Sequence, residues 1–169
     1  AYTAKLRNGL FRNTGACLAP QNAFLNIIGI ETLGLRMERI CYNAIKLAEF
    51  FQNEYSDITV NYPGLESSKW HDIAVSQLKN GFGGIITIRT GSKERAFKIM
   101  NALKLPLIIS NIGDTKTLVI HPESTLSVHS TEEEKVTAGV FDDLIRVSVG
   151  IEDIKDLIED FRQAIEQAE

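Results

Sequence analysis

Apolar residues recur at helical spacing along the first third of the chain. Ala4, Leu6, Leu10 and Phe11 stand among Lys5, Arg7, Asn8 and Arg12, which predicts a helix over residues 2–13 that stops at Gly15. Pro20 suits the first turn of a second helix running through Ala23, Phe24, Ile27 and Ile28. That segment is apolar on most sides, so it is expected to be buried between layers. Thr32 is placed to cap a longer helix reaching about residue 53. Its stripe is Leu33, Met37, Ile40, Ala44, Ala48 and Phe51, with Arg36, Glu38, Arg39, Lys46 and Glu49 largely outside it.

The period then changes. Residues 58–62 are short and β-branched and end at Pro63-Gly64, which predicts a strand. Ser67 is read as the cap of a helix carrying Trp70, Ile73, Ala74 and Leu78, closed by Asn80-Gly81. Residues 83–90 alternate as a strand, and Gly91-Ser92 leads into a helix with Ala96, Phe97, Ile99, Met100 and Leu103 inward. Two short strands follow at 105–109 and 117–120. Thr131 and Glu134 have capping-box spacing, residues 143–149 form a strand, and Ile154, Leu157, Ile158, Phe161 and Ile165 mark a closing helix. The order predicts an α+β domain over residues 56–169, one sheet with helices on one face. Residues 1–55 read as a helical connector to something else.

Composition narrows the classes. A length of 169 residues, 44% apolar and 24% charged, is enough for one domain with a real core. The net charge of −4 and the scattering of the 18 basic residues exclude a nucleic-acid surface. No apolar run is long enough to span a bilayer, and Lys5, Arg7 and Arg12 stand where a signal peptide needs its apolar stretch. Cys17 and Cys41 could pair, but two cysteines in a chain of this length are expected to be buried free thiols, which makes a cytoplasmic protein the default. The chain opens at Ala1 directly in a helical pattern, as domains, fragments and processed chains all can.

Few residues carry candidate chemistry. His71, His121 and His129 lack metal-ligand spacing with each other or with the cysteines, and a solvent-facing or core-satisfied role is expected for His71. Gly81-Phe82-Gly83-Gly84 precedes a strand rather than a helix, so it reads as a tight entry into the sheet and not a phosphate cradle. In the strand Leu144-Ile145-Arg146-Val147-Ser148-Val149, alternation puts Arg146 on one face with Leu144 and Ser148. A mid-strand arginine serves either an ion pair or half-solvated face, or the bidentate capture of a carboxylate. The stretch from Ser110 through Asn111, Ile112, Gly113 and Asp114 to Thr115 is either a simple turn or a loop offering amide donors to an anion.

Those two stretches also carry a resemblance. Residues 144–153, ending Val149-Gly150-Ile151-Glu152-Asp153, closely resemble the closing motif of the Cys/Met-metabolism pyridoxal-phosphate enzymes. Asn111-Ile112-Gly113-Asp114 with Thr117-Leu118, His121-Pro122, Leu33-Gly34-Leu35-Arg36-Met37-Glu38-Arg39 and Asn61-Tyr62-Pro63-Gly64-Leu65 resemble that family as well. The run Gly15-Ala16-Cys17-Leu18-Ala19-Pro20-Gln21-Asn22-Ala23-Phe24 resembles the family too, and its pattern of Pro20, Asn22, Ala23 and Phe24 leans toward the O-acetylhomoserine sulfhydrylase branch over methionine γ-lyase or the cystathionine enzymes.

The resemblance covers essentially the whole chain. It implies the C-terminal small domain of a fold type I pyridoxal-phosphate-dependent transferase, with a mostly antiparallel sheet. The implied activity is γ-replacement, making homocysteine from O-acetylhomoserine and sulfide, in a dimer or tetramer. By the same resemblance Arg146 binds the substrate α-carboxylate and Asn111 assists it. The family's cofactor lysine, stacking aromatic and pyridine-binding aspartate are implied to lie in a larger N-terminal domain, upstream of residue 1. No lysine here sits in a matching motif, and Lys116 occupies a variable place in the pattern. The chain alone is therefore expected to hold no catalytic residue or covalent cofactor site and to be inactive. The open readings are a truncated enzyme, a non-catalytic domain, and one half of a split enzyme working with a separate N-terminal chain. Leu126 and Val128 depart from the family, which carries polar residues there, and this bears on which substrate is used.

Overall fold

A computed structural model describes residues 1–169. The chain divides into two compact units, Ala1–Gly34 and Leu35–Glu169. The first holds α1 (Tyr2–Leu6), a π-helical turn (Arg7–Phe11), α2 (Arg12–Thr14) and α3 (Pro20–Glu31). The stop at Gly15 and the start at Pro20 agree with the sequence reading. The expected burial of α3 does not hold: Phe24, Leu25, Ile27, Ile28 and Ile30 are all exposed. This unit contains only consecutive helical segments, and within it no second layer covers them.

The second unit is an α+β fold. It contains α4 (Leu33–Glu54, which begins just before the division), β1 (Thr59–Asn61), α5 (His71–Gln77), β2 (Ile85–Arg89), α6 (Lys93–Ala102), β3 (Leu107–Ile108), β4 (Leu118–Ile120), α7 (Glu132–Thr137), β5 (Leu144–Ser148) and α8 (Ile154–Glu166). The strands line up as β1-β2-β5-β4-β3. All pairings are antiparallel except β3 with β4. The last strand in the chain is thus the central one.

One sheet face is core. Ile86 and Ile88 of β2, Val119 of β4, and Ile145 and Val147 of β5 are fully buried in one cluster with Leu47, Ala48 and Phe51 of α4, Ile99 of α6, and Leu157 and Phe161 of α8. Burial of each such side chain contributes about 1.5–3 kcal/mol, and the Phe51 and Phe161 rings meet edge-on at 5.1 Å. Because α4 supplies so much of this core, the compact unit begins at Leu35.

Local chemistry sets the helix ends. Ser92 caps α6, Asp153 caps α8, and Thr131 with Glu134 forms the expected capping box on α7. The expected Ser67 cap is not formed, and α5 starts after Trp70. Successive turns closed by Leu65, Ser68 and His71 amides carry the chain through that region. Ser67 instead donates its hydroxyl to Gln52 Oε1 at 3.1 Å. The glycine run before β2 is a tight entry: a Cβ on Gly84 would lie 2.3 Å from Ile40 Cγ2, while Gly84 accepts from Val149 N at 2.8 Å.

Charge pairing ties α7 to the rest. Glu123 accepts from Lys93 Nζ and from Lys135 Nζ, both at 2.8 Å. The Lys135 and Lys93 hydrogen bonds hold its carboxyl down at about 2, against about 4.3 for a free glutamate. A carboxyl depressed in the folded state stabilises it above the unfolded value and loses that contribution as pH falls toward the folded one. Melting temperatures of the native chain and Glu123→Gln, followed from about pH 6 to pH 2, should therefore converge at the acid end. A gap that stays constant with pH would show that the pairs contribute nothing.

Candidate functional site

The other sheet face is polar at its centre. Arg146 lies opposite Thr87 on β2 and Ile120 on β4, with Ser148 two residues on along the same face. Arg146 is half-buried, and its Nε is shut off from solvent with no hydrogen-bond partner. Its Nη2 donates to the backbone carbonyl of Asn111 at 3.3 Å, and Ser148 Oγ donates to that same carbonyl at 2.8 Å.

Burial alone pushes the pKa of Arg146 down, with no carboxylate contributing. Other arginines of the fold differ. Arg89 pairs with Asp143 at 2.8 Å, Arg95 with Asp57, and Arg162 with Glu54. Of the two roles open to a mid-strand arginine, the internal ion pair is therefore not the one found. A partly desolvated guanidinium without a counter-ion is suited to an anion from outside.

The loop after β3 turns two of its amides onto its own side chains. Asn111 Oδ1 accepts from Ile112 N at 2.9 Å, and Asp114 Oδ1 accepts from Lys116 N at 3.1 Å. These contacts hold the Asp114 carboxyl below the usual range, the Lys116 amide first among the causes. Asp114 thus closes an Asx-type turn onto Lys116, and Asn111 reaches Arg146 through its carbonyl. Arg146 and Asn111 are brought together as the sequence implied, but through the backbone.

A second set of contacts fixes the base of this loop, and sequence reasoning missed it. Glu152 accepts from Thr117 N at 2.5 Å and from Thr117 Oγ1 at 2.8 Å. Gly150 N donates to Thr117 Oγ1 at 2.9 Å, and Ile151 N donates to Thr115 O at 2.9 Å. Asn43, buried on α4, donates to the carbonyls of Gly150 and Glu152. The available signal was Thr117 and Ser148, small polar residues at strand ends, and the acidic Glu152 four residues past β5.

Other candidates resolve as structural. His121 is buried, with Nε2 2.7 Å from Asp142 O, Nδ1 2.8 Å from Ser124 Oγ, and its ring 4.7 Å from Phe97. His71 Nδ1 lies 3.1 Å from Pro63 O, and His129 is exposed. Cys17 is exposed and Cys41 half-buried, both free, which corrects the expectation of buried thiols. Leu126 and Val128 are exposed. No helix is long and apolar enough to cross a membrane. Lys135 is the one lysine buried in the fold, and its ammonium is tied to Glu123 and Glu132, which raise its pKa. A pinned cation of this kind is unsuited to covalent attachment of an aldehyde.

Residues 2–166 match the family model for Cys/Met metabolism pyridoxal-phosphate-dependent enzymes. The chain belongs to that family. A homocysteine synthase of Schizosaccharomyces pombe is 45% identical over 169 residues, covering 99% of this chain and 39% of the relative. An L-methionine gamma-lyase of Fusobacterium nucleatum is 42% identical over 160 residues, covering 94% and 40%. A solved structure from Campylobacter jejuni, assigned as an O-acetylhomoserine (thiol)-lyase and carrying a pyridoxyl-lysine, superposes with a TM-score of 0.91 at 40% identity. It covers 98% of this chain and 39% of that one. The chain thus spans about two-fifths of the length of the family members it matches.

Proposed function

We propose that these residues form the substrate-carboxylate side of a pyridoxal-phosphate-dependent γ-replacement enzyme that makes homocysteine from O-acetylhomoserine and sulfide. The observation that carries the reading is Arg146: half-buried, unpaired with any carboxylate, and held on the Asn111 carbonyl. A planar guanidinium takes a carboxylate through two parallel N–H donors. With Nε shut off from solvent, the accessible edge is the one formed by Nη1 and Nη2. Binding there fixes one end of the amino acid and so orients its Cα and γ-substituent. Asn111 acts through the carbonyl that positions this edge.

Pyridoxal phosphate supplies the electron sink in such enzymes. Lys135, pinned by two carboxylates, and Lys116, on the exposed turn beside Asp114, do not fit its attachment. The cofactor's covalent site is assigned to the larger domain of the family, reached through residues 1–55, in a cytoplasmic dimer or tetramer. The exposed apolar side chains of α3 are consistent with that docking. The chain incubated with pyridoxal phosphate, reduced with borohydride and digested should give no single stoichiometric lysine adduct. One such adduct would overturn the assignment.

The reaction itself is tested in the complete enzyme containing these residues, by homocysteine formation from O-acetylhomoserine and sulfide. The similarity to a methionine gamma-lyase favours a second reading as a lyase. Release of 2-oxobutyrate from methionine faster than homocysteine formation would select it.

A further inference from the structure

We propose that Ser148 is the positioning residue of the Arg146 anchor, an inference that rests on the carboxylate-binding role given to Arg146 above. Ser148 is 3% exposed, opposite Ile85 on β2 and Leu118 on β4. A hydroxyl there must find an acceptor or leave a buried donor unsatisfied. Its acceptor is the Asn111 carbonyl at 2.8 Å, the oxygen that also receives Arg146 Nη2 at 3.3 Å. Two residues along a strand are about 6.6 Å apart and share a face, so both side chains converge on one carbonyl from two points of β5.

The shorter of the two contacts belongs to Ser148, so the hydroxyl locates the carbonyl and the carbonyl in turn locates the guanidinium. Arginine side chains have four rotatable bonds and no strong preference among many rotamers. Arg146 has no carboxylate to hold it, and its Nε has no partner. The Asn111 carbonyl is therefore its one fixed reference point within the fold. The Thr117–Glu152–Gly150 contacts hold the base of the same loop, so it is located at both ends. Ser148 touches neither substrate nor cofactor in this scheme; it acts through Asn111 on Arg146.

The test uses the complete pyridoxal-phosphate enzyme with Ser148→Ala, Ser148→Thr, Arg146→Lys and the double variant Ser148→Ala/Arg146→Lys. Ser148→Ala should raise KM for the amino-acid substrate about 3- to 10-fold, the effect of one hydrogen bond, with kcat within about twofold. Ser148→Thr, which keeps the hydroxyl on a strand-compatible side chain, should return KM to the native value. In the double variant, Ser148→Ala should add nothing to the KM of Arg146→Lys, because the group it positions is already gone. An unchanged KM in Ser148→Ala, or full additivity in the double variant, overturns the inference while leaving the Arg146 role standing. Equal losses of kcat and melting temperature in the Ala and Thr variants also overturn it, by showing a packing role only. An unchanged KM in Arg146→Lys itself overturns the carboxylate reading, and the inference with it.

Discussion

Replacing Arg146 by lysine in the complete enzyme should raise KM for the amino-acid substrate by about 10- to 100-fold, the range expected when charge-assisted hydrogen bonds to a carboxylate are lost. The charge is kept, so a purely coulombic role predicts little change. The fork is not kept: an ammonium cannot present two parallel donors or use the Asn111 carbonyl as a rest while a second edge holds a ligand. Since burial already disfavours the charged form of Arg146, a lysine there meets the same desolvation with a lower intrinsic pKa. The ratio of variant to native KM should therefore grow as pH rises toward 9, since the substrate amine titrates alike in both. Steady-state kinetics with varied amino acid at fixed sulfide, repeated across pH, read both effects. A KM ratio that is near unity and flat with pH would remove Arg146 from the binding scheme.

Gly150→Ala should cost about 1–3 kcal/mol of folding stability, the usual range for forced overpacking. An added Cβ would stand 2.5 Å from Thr115 O, 2.5 Å from Glu152 Oε2 and 2.6 Å from Lys116 C. Two of these are backbone atoms, which cannot swing aside as a side-chain tip can. Relief requires the β5 exit and the 115–117 segment to part, breaking the Gly150–Thr117 and Ile151–Thr115 hydrogen bonds. Because that segment is the base of the Asn111 turn, the same change should also raise KM. Melting by circular dichroism should shift about 2–4 °C for each kcal/mol in a chain of this size. An alanine variant that melts with the native protein would mean that the close approach is not maintained in solution.

Much of the fold was legible because its elements are amphipathic in themselves. Residues 83–90 and 143–149 alternate cleanly, and both are strands with one face in the core. The capping box at Thr131 and the stripe through Phe161 are local signals, and both are found as read. The errors fall where an element's fate depends on what lies beside it. The 20–31 helix is apolar nearly all round, which usually means burial, yet burial needs a covering layer that its own unit lacks. Ser67 has a capping side chain, but the turns from 62 to 71 place Trp70 at the helix start. The share of the 33–54 helix in the core was not legible either, because the sheet it packs on lies far from it in sequence.

The site was legible to a similar depth. Strand alternation placed Arg146 on the face away from the hydrophobic cluster, and the family motif joined it to Asn111. That the join runs through a carbonyl, with the side-chain oxygen of Asn111 turned back onto Ile112, depends on loop dihedrals that residue types do not specify. Ser148 and Glu152 carry no signal stronger than being polar at or just past the end of β5. Their importance comes from registry, which sets Ser148 beside Leu118 and brings Thr117 within reach of Glu152.

The order β1-β2-β5-β4-β3 has a consequence for how the molecule is made. Until residues 144–148 leave the ribosome, β1 can pair only with β2 and β3 only with β4, and the strand that joins the two pairs is missing. Two-stranded ribbons are marginal in water, and open edges of this kind invite pairing with neighbouring chains. β5 closes both edges at once and brings Arg146 with it. The anchor and the sheet therefore come into being in a single late step. A ribosome stalled before residue 144 should present a protease-sensitive nascent chain, and one stalled far enough beyond α8 for its residues to clear the exit tunnel should present a resistant one.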